Sequence, residues 1–212
     1  MLPWILLSAL GLSVALTGER LGRPRLIWLG KPLASAGFIA AAAAGGALDT
    51  AYGNAVLLAL AWSMLGDVLL IPRDTPAAFV FGLVAFLVGH LGYLVAFRVL
   101  GLDGATFGLA LAGLLVPAAA VLRWLWPHLP RRMRAPVLAY VAVITAMVAG
   151  AIGTWPAAAD PAVLVAASLF YLSDLAVARH RFVAPALVNR LVGLPLYYAA
   201  QFVFVATATS GP

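Results

Sequence analysis

Two aspartates stand inside apolar runs: Asp67 in Ala61-Trp62-Ser63-Met64-Leu65-Gly66-Asp67-Val68-Leu69-Leu70, and Asp174 in Leu169-Phe170-Tyr171-Leu172-Ser173-Asp174-Leu175-Ala176. The chain has only seven acidic residues. A charged side chain at the centre of a bilayer costs about 2.5–3.5 kcal/mol even on permissive scales, so each of these carboxyls is a functional candidate. Two of them at one level are a candidate acid–base pair. The competing reading is structural. Ser63 lies four residues before Asp67 on the same helix face and would bond a backbone carbonyl, while each aspartate would pair with an arginine as glue between helices. Ser173 stands directly beside Asp174 and shares its candidacy.

Other polar residues interrupt apolar surroundings. His90 and Tyr93 fall on a stripe with Phe86 and Phe97. Such a stripe is ordinarily packing, but a buried histidine is harder to dismiss. Tyr197 and Gln201 are four apart in the last apolar run. Lys31 and Arg190 open apolar runs, where a basic side chain either snorkels to the interface or holds a lipid phosphate. His128 and His180 lie in basic loops at headgroup level. No phosphate-binding glycine loop, Gly-x-Ser-x-Gly or His-Glu-x-x-His is present. With no cysteine and one buried histidine, neither a metal centre nor a cofactor is expected.

The elements that must position these residues are membrane helices. Hydrophobic residues make up 65% and charged residues 9%, with a mean hydropathy of +1.06; a soluble domain is roughly 45–50% apolar and about 25% charged. A spanning helix needs about 20 apolar residues. Eight segments qualify: 2–17, 32–48, 55–71, 77–97, 105–123, 136–153, 161–178 and 187–208. The fold class is therefore all-α, a single eight-helix transmembrane domain over residues 1–212, with Met1–Thr17 read as a membrane helix and not as a signal peptide. Pro32, Pro136 and Pro161 fall near helix starts; Pro117 and Pro195 lie within helices. The turn Pro72-Arg73-Asp74-Thr75-Pro76 separates the third and fourth helices.

Charge orients the bundle. Twelve of the thirteen basic residues fall on the first, third, fifth and seventh loops, and only Arg98 falls on the other side. Cytoplasmic loops are the ones enriched in Lys and Arg, so both termini are expected away from the cytoplasm. The net charge of +6 reflects this topology, and no nucleic-acid partner is expected. Asp67 and Asp174 then lie at one depth, each about a turn from the cytoplasmic end of its helix, with His90 and Gln201 deeper. The Ala-, Gly- and Arg-rich composition points to a bacterial cytoplasmic membrane. Oligomeric state is not legible.

These motifs resemble the lysoplasmalogenase, or YhhN-like, integral membrane family. The matching pieces are Lys31-Pro32-Leu33, then Ser63-x-x-Gly66-Asp67-x-x-Leu70. Phe81-Gly82-Leu83-x-Ala85-Phe86-x-x-x-His90-x-x-Tyr93-x-x-Ala96-Phe97 follows. Ser173-Asp174, Arg181-Phe182 and Tyr198-Ala199-Ala200-Gln201 complete the set. The piece Ala178-Arg179-His180 is more basic than the family pattern. The resemblance implies eight membrane helices and hydrolysis of the vinyl ether bond of lysoplasmalogens, a lysophospholipid substrate, to a fatty aldehyde and a glycerophospho-amine. The family's essential aspartates would map onto Asp67 and Asp174, with no metal. His90 and Gln201 would orient water or the carboxyls, and Lys31 or Arg190 would hold the phosphate. Three alternatives use the same residues: a proton-coupled carrier, a metal-dependent lipid amidase or esterase, and a lipid-binding protein without catalysis.

Overall fold

A computed structural model of the protein describes residues 1–72 and 75–209. Arg73 and Asp74, part of the expected turn between the third and fourth helices, lie outside the described residues. Eight helices are long and apolar enough to cross a membrane, and no strand occurs among the described residues. They are α1 (Leu2–Leu21), α2 (Pro24–Ala44), α3 (Ala51–Leu69), α4 (Pro76–Leu100), α5 (Gly104–Leu125), α6 (Arg131–Gly153), α7 (Pro161–Ala178) and α8 (Leu187–Thr209). At about 1.5 Å per residue these lengths match a hydrocarbon core of about 30 Å.

Polar caps end the helices on one side. Thr50, Asp103 and Asp160 accept from the Gly53, Thr106 and Ala162 amides at the starts of α3, α5 and α7, satisfying orphan donors of the first turn. The Thr106 amide and hydroxyl, with the Ala105 amide, hold the exposed Asp103 carboxyl below its usual range. The opposite side carries the basic turns. There α1 ends at Gly22, whose φ of 61° reverses the chain into α2, a conformation glycine adopts without penalty.

Six helices close a ring in the order α2, α3, α4, α6, α7, α8 and back to α2, while α1 packs outside against α2 and α8, and α5 outside against α6. Small residues allow the closest approach. A Cβ on Gly11 would stand 2.5 Å from the Ala34 amide, and one on Gly30 2.4 Å from the Ala15 amide, so α1 and α2 touch backbone to backbone. The main core fills the ring with Phe38, Phe97, Phe170 and Phe204. A second apolar cluster lies between α5 and α6, around Leu125, Met133 and Val137.

Several boundaries differ from the sequence expectation, and two of them matter to the site. First, α2 begins at Pro24, so Lys31 and Pro32 lie inside it and not at its mouth. The apolar stretch Leu26-Ile27-Trp28-Leu29 continues the helix, and Pro24 supplies the start that Pro32 was assigned; Pro136 likewise lies within α6, which starts at Arg131. Second, α7 runs on through a π turn over Arg179–Val183. Asp174 is therefore more than two turns from the end of its helical segment, deeper than expected.

Candidate active site

The ring brings two polar stations together. Lys31 and Ser35, one turn apart on α2, share a face that meets α3 and α8. The Ser35 hydroxyl donates to Asp67 Oδ2 at 2.7 Å, and so does the Tyr197 hydroxyl, also at 2.7 Å. Lys31 Nζ stands 3.5 Å from Asp67 Oδ1 and donates to the Asp67 backbone carbonyl at 3.2 Å. Tyr198 closes the network, 3.2 Å from Ser35 Oγ. A buried ion pair holds only when further hydrogen bonds satisfy the carboxylate, and Ser35 and Tyr197 supply them.

The second station is built from α4, α6 and α7. Asp174 Oδ2 receives the Tyr140 hydroxyl at 2.7 Å, and His90 Nε2 lies 3.2 Å from the same oxygen. His90 was expected deeper than Asp174, but the extended α7 brings the two level. The imidazole packs edge-on against Phe170, centroids 4.5 Å apart. Phe170 in turn meets Tyr197 at 5.3 Å, so one ring separates the stations. The two differ in access: the Asp67 side chain is 3% exposed and that of Asp174 18%.

Both carboxyls line one cavity of about 90 Å³, room for more than one water, since one occupies about 10–15 Å³ on this measure. Lys31 and Tyr197 beside Asp67, and Tyr140 beside Asp174, give it a polar end, and Ser173 and Arg190 also line it; Phe79, Leu83, Val121, Leu125, Val137 and Phe182, all in or against the second apolar cluster, form an apolar end.

Of the residues singled out from sequence, Lys31, Asp67, Ser173, Asp174, Arg190 and Tyr197 line this cavity. His90 supports Asp174 without lining it. Three others go elsewhere. Ser63 donates to the Ala59 carbonyl at 2.9 Å and faces Gly89 at the α3–α4 contact. Tyr93 donates to Gln201 Oε1 and stacks on Phe204 at 3.9 Å, forming a separate polar pair. Sequence reasoning missed Ser35 and Tyr140. Ser35 carried a usable signal, lying four residues after Lys31; Tyr140 carried only its hydroxyl in an apolar run. Among the described residues no three His, Asp or Glu side chains gather as a metal ion would require.

Eight apolar helices long enough to span a bilayer, with a two-carboxyl cavity among them, define a multi-pass helical membrane protein. Residues 26–208 match the model of the YhhN family, and the chain belongs to that family. It is 36% identical over 154 residues to mouse lysoplasmalogenase TMEM86B, covering 73% of this chain and 63% of the mouse protein. It is 33% identical over 158 residues to the lysoplasmalogenase of Mycobacterium bovis, covering 69% and 57%. It is 32% identical over 164 residues to bovine lysoplasmalogenase TMEM86A, covering 72% and 64%. The chain thus spans less than two thirds of the length of these curated relatives. No solved structure matches it.

Proposed function

We propose that this protein is a membrane lysoplasmalogenase that hydrolyses the vinyl ether bond of a lysoplasmalogen by acid–base catalysis with Asp67 and Asp174. The observation that carries this reading is that both carboxyls wall one cavity with a polar and an apolar end, in a chain similar to proteins named lysoplasmalogenases. The polar end takes the glycerol and its vinyl ether; the alkenyl chain lies toward Phe79, Leu83 and Leu125.

The surroundings divide the labour. Asp67, with an ammonium at 3.5 Å and two hydroxyl donors, suits the ionised role. Asp174 has both its polar contacts, the Tyr140 hydroxyl and His90 Nε2, on Oδ2, leaving Oδ1 to carry a proton. Asp174 protonates the outer alkene carbon, and the electron pair of the double bond forms the new C–H bond. The resulting oxocarbenium ion is steadied by the Asp67 carboxylate. Water adds to the cationic carbon and gives up a proton to a carboxylate. The hemiacetal then collapses to a fatty aldehyde and a free glycerol hydroxyl, so one water is consumed per bond cut. This sharing between a protonated and an ionised carboxyl follows the glycosidase pattern by analogy.

The 212 residues act as one eight-helix domain. Their basic side faces the cytoplasm, which puts both termini on the other side and the cavity nearer the cytoplasmic leaflet of a bacterial cytoplasmic membrane. The activity is tested by mass spectrometry of purified protein with lysoplasmalogen and its saturated ether and ester analogues. Aldehyde from the vinyl ether alone is expected; cleavage of the ester, or of none, would sink the reading.

A further inference from the structure

A second cavity adjoins the reaction cavity. It has a volume of about 230 Å³ and is lined by His180, Arg181 and Arg190 together with Leu70, Phe79 and Val177. Leu70, Phe79, Val177 and Arg190 line both cavities, so Arg190 stands at the threshold between them. We propose that this basic chamber takes the phosphate diester of the lysolipid headgroup; the inference rests on the lipid-hydrolase reading above.

Lys31, a candidate for this role by sequence, is already engaged. It contacts both the side chain and the carbonyl of Asp67, and would have to abandon that carboxylate to reach a phosphate. Arg181 is placed differently. Its guanidinium lies 4.3 Å over the Phe79 ring, and a stacked guanidinium still presents its N–H fork to a planar or tetrahedral oxyanion. Phe79 therefore packs with one face of a cation while lining the apolar part of the reaction cavity.

The chamber wall is firmly built. The π turn that carries His180 and Arg181 is closed by the Ala184 amide on the Arg179 carbonyl at 2.8 Å. Arg179 Nη1 donates to Asn189 Oδ1 at 2.6 Å, and Asn189 Nδ2 donates to the Ala184 carbonyl at 2.8 Å. A single extra residue in a helix turn re-aims the side chains that follow, and such turns recur at functional sites. Here it delivers His180 and Arg181 to the chamber. The substrate's own geometry fits: in a lysoplasmalogen the vinyl ether and the phosphate stand at opposite ends of a three-carbon glycerol, which asks for two adjoining subsites of unlike chemistry.

The test is a binding measurement that does not depend on turnover. Purified protein in detergent is titrated with a saturated 1-alkyl lysophosphoethanolamine, which has no vinyl ether to cut, and with the matching 1-alkylglycerol, which has no phosphate. The wild type is expected to prefer the phospholipid at least tenfold. Arg181→Gln combined with Arg190→Gln is expected to bring that preference within twofold, while an unchanged elution profile and thermal midpoint report a folded protein. Arg123→Gln combined with Arg132→Gln, an equal charge loss outside the chamber, is expected to keep the wild-type preference. Millimolar inorganic phosphate is expected not to displace the phospholipid. The proposal is overturned by a wild type indifferent to the phosphate, by a double variant that keeps its preference, or by displacement with inorganic phosphate, which would mark a free-anion site. Phosphate-dependent binding in a protein that releases no aldehyde would uphold the chamber and remove the hydrolase reading.

Discussion

Asp67 and Asp174 sit on helices that run the same way and wall the same cavity, yet their surroundings are opposites. Asp67 is enclosed by an ammonium and two hydroxyls, all donated by α2 and α8. Asp174 is more open and is held through one oxygen only, by Tyr140 from α6 and His90 from α4. A symmetric pair would have no reason to divide the work. Under the proposed mechanism this difference assigns the two carboxyls separate tasks through the helices that reach them.

The largest effects are expected from the carboxyls themselves. Asp67→Asn and Asp174→Asn should each lower aldehyde release by about 100- to 10,000-fold, the range of a lost acid or base, with the elution profile of a folded protein retained. Lys31→Met is expected next, and to act on stability as well as rate. Removing one partner of a buried pair costs about 3–5 kcal/mol, so a lowered thermal midpoint should accompany the loss of activity. If Lys31→Met is as stable and active as wild type, the enclosed character of the Asp67 station is wrong.

The two tyrosines sharpen the contrast at smaller magnitude. Tyr140→Phe and Tyr197→Phe each remove one hydrogen bond to a charged or charge-sharing group, about 1.5–3 kcal/mol, or roughly ten- to a hundredfold in rate. Tyr140→Phe should shift the pH dependence of kcat, because its hydroxyl is half of what holds Asp174. Tyr197→Phe should leave that profile in place, because Lys31 and Ser35 still hold Asp67. Identical profiles in the two variants would erase the proposed distinction. The smallest effect belongs to Asp103, far from the site. Its carboxyl is held low by the Thr106 and Ala105 donors, so its capping contribution is present above the ordinary carboxylate range and fades as pH falls through the depressed value. Asp103→Asn should therefore narrow the stability difference between neutral and acidic pH, with turnover unchanged.

The helix count was legible because an apolar run long enough to span a bilayer has few other uses. The two aspartates stood out for the converse reason, since a carboxyl there is costly unless it is held by partners, and both have polar partners beside one cavity. Proline misled at Lys31-Pro32: a proline inside a membrane helix is tolerated where neighbours satisfy the freed carbonyl, so it does not mark a boundary by itself. The serines teach a related lesson. Ser63 shares a helix face with Asp67 but bonds its own backbone, as serines in helices often do. Ser35, on another helix, makes the contact instead. Local spacing says which side chains can meet along one helix; only closure of the ring decides which meet across it. Tyr140 was hidden for that reason, as its apolar run gives no sign of the carboxyl that α7 brings beside it.

The central claim is that Asp67 and Asp174 act as one unit on a substrate between them. Groups that act as a unit lose their effect together, so removing both costs little more than removing one. The direct measurement is single-turnover aldehyde release by Asp67→Asn, Asp174→Asn and the double variant, at matched occupancy with lysoplasmalogen. A double variant no slower than the slower single one is the expected result. Losses that multiply, or near-normal turnover in either single variant, would contradict it.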